Sequence, residues 1–569
     1  MNIAICSLFT DSCYPLLSQS LADETPLNVS ALVALLVFGI ALLLVLILRF
    51  KMQAFLALIL VSVVVAATSR WVNPDAVSLT QVADTIVKSM GSALGFIATI
   101  IGIGAIFGAV LEHSNGTQSL ANSMVRLFGV RKAPWAMLLT GFIISIPVFL
   151  DVALVILAPL LFALARDTKK PYLIYGLSLC AGMAVTHAFV PPTPGPVAVG
   201  FILGVNLGWV ILFGIAVGLP TAIICGPWLC TKLANTVDLP LPEIETSEKP
   251  TESGLPKIGF VLFLVAMPIA LILANTIVEQ AIASRMTGDL RQAEVALKAK
   301  KAELATWSQS IDNLAELGIK DEVIDQPKEF VAYIKSLDVA DQAGRNATAI
   351  AVNHMNKFND LSSKSNRSTQ LKKGIAAASW PLQFIYFVGH PVIALLLSTI
   401  LALHFLGTRR GVSRETLLEI STKALGPAGI IILITGAGGV FKGVLKATGI
   451  TDALEIMFSE SGIPILVLAY VFATLIRIAQ GSATVAMLTA AGLMVSFVEG
   501  MSQQQLALVT IAIAAGATGF SHVNDSGFWM ISRYMRMSEA ETLRTWSVVS
   551  TAISIVGFAI TMVMWQFVA

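Results

Sequence analysis

A chain of 569 residues that is 56% hydrophobic, 13% charged and +2 in net charge lies far from a soluble globular composition, in which about a quarter of residues are charged. With a mean hydropathy of +0.80 it reads as a polytopic membrane protein whose constant partner is the lipid bilayer. No basic patch implies a nucleic-acid partner, and the five cysteines have no metal-ligand spacing.

In chain order, a polar tail at 1–30 precedes an apolar run that starts only at Ala31, so a retained first helix is expected rather than a cleaved leader. Runs able to cross a hydrocarbon core of ~30 Å fall at 31–48, 52–68, 91–111, 172–190, 196–231, 258–278, 384–406, 427–445, 504–521 and 546–568. Two further runs, 135–165 and 463–499, are each over 30 residues long and carry Pro147 and Asp151, or Gln480, Gly481, Ser482 and Thr484, halfway along. They are too long for one helix and too polar at the centre to face lipid, so each is predicted to be two half-length helices meeting at a tip. The stretch 239–257 reads as a cytoplasmic linker. Residues 281–375 hold 26 of the 72 Asp, Glu, Lys and Arg and form an extracytoplasmic insert. Its opening, 288–317, has helical apolar spacing. The insert is expected to serve dimer contact or partner recognition or, more plainly, to be a solvated helical decoration.

Basic residues order the loops. Arg49 and Lys51, then Arg126, Arg131 and Lys132, then Arg166, Lys169 and Lys170 belong on the cytoplasmic side. The last two clusters flank 135–165, which must therefore enter and leave on one face as a re-entrant hairpin. If 463–499 enters from the opposite side, the clusters around Lys232, Arg409 and Arg533 also fall inside, and both termini lie outside. GAVLEHSNGTQSL (108–120) resembles KGVLKATGITDAL (442–454), and each is followed by a hairpin, a broken helix and a closing helix. The segments 91–111 and 427–445 run in opposite senses under this topology. The expected fold is thus all-α, with two inverted repeats, each containing a re-entrant hairpin and a broken transmembrane helix. Such an architecture places a substrate site at the repeat interface near the membrane midplane.

The polar interruptions carry the chemistry. Asp151 is an ionisable group in an apolar run, which suits a proton carrier in a water-lined cavity; otherwise it orders the tip by accepting from exposed helix amides. His187 opens HAFVPPTPGP, where four prolines end the helix and leave carbonyls and a new helix start for a polar substrate. His522, Asn524 and Asp525 repeat the device in the second half. Arg477, at the end of an apolar arm, needs an anion, with Asp151, Asp525 or a substrate carboxylate as candidates, or else snorkels to an interface. Gln480, Ser482 and Thr484 make a small polar tip beside it. Glycine clusters at 102–108 and 435–443 miss the dinucleotide fingerprint and read as close helix packing. The sequence carries no phosphate loop or HExxH, so energy for uphill transport is expected from an ion gradient, with no cofactor.

IPVFLDVALVILAPLLFALAR, THAFVPPTPGPVAVG, RIAQGSATVAMLTAAG and FSHVNDSGFWMISRYM resemble the gluconate:proton symporter family of bacterial permeases, and the likeness covers the chain apart from the tail and the insert. The resemblance implies proton-coupled uptake of small sugar acids and related hydroxy or amino acids across the inner membrane. It also implies a scaffold and a transport domain, and commonly a homodimer. It gives Asp151 the acidic tip position, where the gluconate permeases more often have Glu, and Thr193 the place where they tend to have a histidine. His187, Arg477, Gln480, Ser482, Thr484, His522, Asn524 and Asp525 take the remaining pocket positions.

The resulting expectation is a symporter of a small organic monocarboxylate. Arg477 and the helix ends near Pro196 and Asn524 would hold the carboxylate. His187, His522, Gln480, Ser482 and Thr484 would meet hydroxyls, and Asp151 or Asp525 would carry the proton. Sodium coupling, through Ser482, Thr484, Asn524 and unwound carbonyls, is the alternative within transport. A receptor built on the insert is the alternative outside it.

Overall fold

The computed structural model describes residues 29–237 apart from 75 and 149, residue 239, residues 255–309, and residues 367–568 apart from 451, 452, 454–463, 499 and 524. The tail, most of the 239–257 linker, the middle of the insert with the end of its predicted helix, and Asn524 lie outside the described residues. So does the side chain of Asp151. Among the described residues every regular element is helical.

The chain divides into two compact units. The smaller takes in Ile277–Phe387. Its described helices are the later part of α11 (Ile258–Gln309), α12 (Arg367–Ala377) and α13 (Trp380–Val388). They close over Val278, Ile282 and Ile375, with Leu371, Leu382 and Tyr386 packed around them.

The larger unit, Leu27–Thr276 with Val388–Ala569, begins with α1 (Val29–Leu48), α2 (Ala54–Ser69), α3 (Leu79–His113) and α4 (Gly116–Phe128). It continues with α5 (Ala133–Ile144), α6 (Leu150–Thr168), α7 (Tyr172–Phe189), α8 (Pro194–Leu203), α9 (Leu207–Cys225) and α10 (Pro227–Ala234). After the start of α11 come α14 (Pro391–Ala402), α15 (Arg414–Ala447), α16 (Ile465–Gln480) and α17 (Ala483–Met494). The unit ends with α18 (Gln503–Thr518), α19 (Ser526–Tyr534), α20 (Glu539–Arg544) and α21 (Trp546–Trp565). Among the described residues of the whole chain, seven helical stretches are long and apolar enough to cross a membrane.

Local chemistry sets the boundaries. α3 starts at Leu79, well before the apolar run at 91, because the polar turn ahead of it is capped: Gln81 Oε1 accepts from the Ser78 amide at 3.2 Å. The run 196–231 is the end of α8, then α9 and α10. Gly204 closes α8 in the left-handed region, with φ +76°. Asn206 then caps α9 by accepting from the Gly208 amide at 2.8 Å. α11 continues past the apolar stretch 258–278 to Gln309 without a break. Ser502 and Gln505 form a reciprocal cap on α18, the Ser502 amide donating to Gln505 Oε1 at 2.9 Å.

α3 and α15 are antiparallel neighbours. The Val77 amide donates to Ala447 O at 3.0 Å and Asn73 to Thr448 O at 3.1 Å, while at the other end Arg410 donates to Ser114 O at 3.1 Å. Glycines let the pair close: Gly436 lies against Met90 and Gly443 against Ser89. The same device recurs between half-helices. A Cβ on Gly182 in α7 would stand 2.1 Å from Leu138 O of α5, and one on Gly516 in α18 would stand 2.4 Å from Tyr470 O of α16. α7, α9, α18 and α21 pack on one another at the centre of the unit. There Phe189 fills the space left by Gly214, Gly218 and Gly557.

Candidate functional site: two broken helices and two helix tips

The apolar segments 135–165 and 463–499 are each interrupted midway. In the first, α5 ends at Ile144, residues 145–148 turn, and α6 starts at Leu150. α6 packs on α7 and on the turn Val130–Lys132 that precedes α5. Asp151 stands in the first turn of α6. In the second segment, Gly481 ends α16 with φ +77°, a conformation that strains any residue with a Cβ, and Ser482 caps α17 by accepting from the Val485 amide at 3.4 Å. The two polar breaks downstream are equally distinct. α7 stops at Phe189 and α8 resumes at Pro194; α18 stops at Thr518 and α19 resumes at Ser526.

The first tip and the first break meet. A cavity is lined by Gly104 and Ala105 of α3, by Ser145 and Pro147 of the tip, and by His187 and Thr193. Thr193 is buried, and its hydroxyl donates to Val190 O at 2.7 Å, which holds the break. Pro147 sits directly on α3, since a Cβ on Gly108 would stand 2.2 Å from its carbonyl oxygen. On the far side of Pro147 and Val148 lies a more open hollow whose rim carries Glu112, His113 and Lys423.

In the second half Arg477 does the joining. The guanidinium, 4% exposed, donates through Nε to Gly519 O at 3.2 Å, through Nη1 to Gly481 O and through Nη2 to Asp525 Oδ2. One side chain thus ties the α16 arm to its own tip and to the α18–α19 break. Asp525 is 8% exposed. It also accepts from Ser521 Oγ and caps α19 by accepting from the Gly527 amide at 2.9 Å. Ser521 in turn accepts from Trp546 Nε1 at 2.9 Å. His522 Nε2 lies 3.2 Å from Ile478 O, holding the break against the arm. The Gln480 amide is buried with neither its oxygen nor its nitrogen bonded. Ser482 and Thr484 are partly exposed at the start of α17.

The structure therefore brings His187 and Thr193 together in one cavity, and Arg477, Asp525 and the Gly481 carbonyl in one cluster. Between the two groups α17 packs along α8, with Met487 against Gly195. Among the described side chains, the acid that pairs with Arg477 is Asp525. Sequence reading passed over three features. Ser521, within FSHVNDSGF but not singled out, and Trp546, outside it, support Asp525, and no local spacing points to Trp546. Lys442 donates to Ile202 O in the last turn of α8; its signal was a lone charge in an apolar glycine-rich run. Ser145, two residues before Pro147, did not stand out.

With seven membrane-length helical stretches among its described residues and a match to a permease family model, the protein is a multi-pass membrane permease. The chain belongs to the GntP permease family, whose model matches residues 31–293 and 364–568. It is 31% identical over 540 residues to the low-affinity gluconate transporter of Escherichia coli K12, covering 95% of this chain and 99% of that protein. It is 30% identical to the gluconate permease of Bacillus subtilis 168, over 91% of this chain and 96% of that one. To the Gnt-II system L-idonate transporter of Escherichia coli K12 the identity is 28%, over 91% and 95%. Like these relatives, the protein is a transporter and not an enzyme.

Proposed function

We propose that the protein takes up a small hydroxylated monocarboxylate, of the gluconate or idonate kind, in symport with a proton. The observation that carries this reading is the buried Arg477–Asp525 pair at the joint between tip and break. A buried charge stripped of its partner costs about 3–5 kcal/mol, so the arginine keeps one carboxylate at all times. A substrate carboxylate takes that place only when Asp525 has been neutralised by a proton. The proton and the anion then enter as an electrically neutral set, and neither binds well without the other. This is linkage of two ligands through one guanidinium. Both roles named for the pair, carboxylate binding by Arg477 and proton carriage by Asp525, are then steps of a single exchange.

Around that centre, His187, Thr193, Gln480, Ser482, Thr484, His522 and Asn524 are the groups we assign to the substrate's hydroxyls, with Asp151 as a second acid on the proton's route. The antiparallel α3 and α15, the recurrence of tip and break in each half, and the return of α6 to the turn before α5 support two inverted repeats with re-entrant hairpins. Such repeats provide alternating access by one unit moving against another. Assembly as a homodimer follows from the family resemblance, and native mass in detergent tests it.

The test is uptake of labelled gluconate, idonate, glycerate and lactate into proteoliposomes with pH and sodium gradients imposed separately. Accumulation driven by an inward proton gradient supports the reading. Accumulation that follows sodium alone replaces the proton with a sodium ion. Folded, oriented protein that accumulates none of these acids overturns the proposal.

A further inference from the structure

Ser145 is 1% exposed, lines the cavity shared by His187 and Thr193, and its hydroxyl has no hydrogen-bond partner. Its own amide already donates to Gly141 O at 3.1 Å, so the side chain alone is open. A buried hydroxyl left unbonded costs free energy comparable to a lost hydrogen bond, which a group entering the cavity would recover. The second half holds a counterpart. Gln480 lies 335 residues after Ser145, the separation that also relates His187 to His522, and its amide is likewise buried and unbonded. Each tip therefore presents one neutral group, able both to donate and to accept, with nothing to bond. A carboxylate would use only the donor half of such a group, and the substrate's is assigned to Arg477. An alcohol, which donates and accepts, does. Thr193 has spent its proton on Val190 O, so of the two cavity hydroxyls Ser145 is the one with a proton to give. Gly104 also lines the cavity, and a Cβ there would meet nothing within 4 Å.

The geometry points to Ser145 as a specificity-determining residue that hydrogen-bonds one hydroxyl of a polyhydroxy acid in the first-half cavity. The inference rests on the transport reading above and deepens it. Its test measures uptake of D-gluconate and of the series of monodeoxy gluconates by the wild type and by Ser145→Ala, with Ser145→Thr as the hydroxyl-retaining control. Ser145→Ala should raise the KM for gluconate about 10-fold and leave unchanged the KM for the one analogue lacking the recognised hydroxyl, while Ser145→Thr restores most of the affinity. A uniform loss over the whole series, or no loss at all, overturns the assignment. If Ser145→Ala fails to fold, the wild type decides, because an affinity indifferent to every single deoxygenation is equally fatal. Wild-type protein that accumulates no sugar acid removes the transport reading itself, whereas wild-type uptake matched by Ser145→Ala removes only this residue.

Discussion

Arg477 and Asp525 make separable predictions because a buried pair responds differently to losing one member and to losing both. Asp525→Asn keeps the shape but removes the carboxylate proposed to carry the proton. Gradient-driven accumulation should fall at least about 10-fold, while exchange of external for preloaded substrate persists; uphill transport at the wild-type level in this variant would refute the proton role. For stability, Arg477→Met should cost about 3–5 kcal/mol by stranding Asp525. The double variant Arg477→Met with Asp525→Leu should recover part of that loss. Thermal unfolding in detergent reads both, and strictly additive losses would mean that the pair carries no coupling. At this scale the sequence pointed to the need of Arg477 for an anion, because a guanidinium in an apolar arm must either find one or snorkel to an interface. It did not reveal the choice of Asp525 over Asp151, since 48 residues separate the pair and only packing brings the break to the tip. Ser145 was illegible for a related reason. A serine at a helix end normally bonds its own backbone, and only the structure leaves this one without a partner.

Among the elements, glycines hold the half-helices at backbone distance. Gly108 seats Pro147 on α3, and a methyl group there meets a carbonyl oxygen that has no side-chain freedom to yield. Gly108→Ala should lift the tip, abolish uptake and lower stability by about 1–3 kcal/mol as overpacking does. Retained uptake with an unshifted melting temperature would show that the tip does not depend on this seat. The breaks themselves were plain in the sequence, because prolines and small polar residues in the middle of apolar runs leave no other structure open. The extents of α3 and α11 were not. Residues 79–90 are too polar to register as membrane helix, but the Ser78–Gln81 turn starts a helix that the apolar part then extends. α11 runs on from apolar into charged sequence at constant backbone geometry, and hydropathy reports only the change of solvent.

For the whole molecule, the family match passes over 294–363, between its two matched parts. Replacing those residues with a short glycine-serine linker should leave uptake within about a factor of two, because the broken helices and tips lie elsewhere in the chain. Loss of transport by a folded, membrane-inserted deletion would instead tie the insert to the cycle.

The three donations of Arg477 also have a mechanical side. Because one rigid planar group grips Gly481, Gly519 and Asp525 together, the α16–α17 tip and the α18–α19 break cannot slide past each other while the grip lasts. They are fastened as one body, and losing this single side chain would free the tip and the break from each other at once.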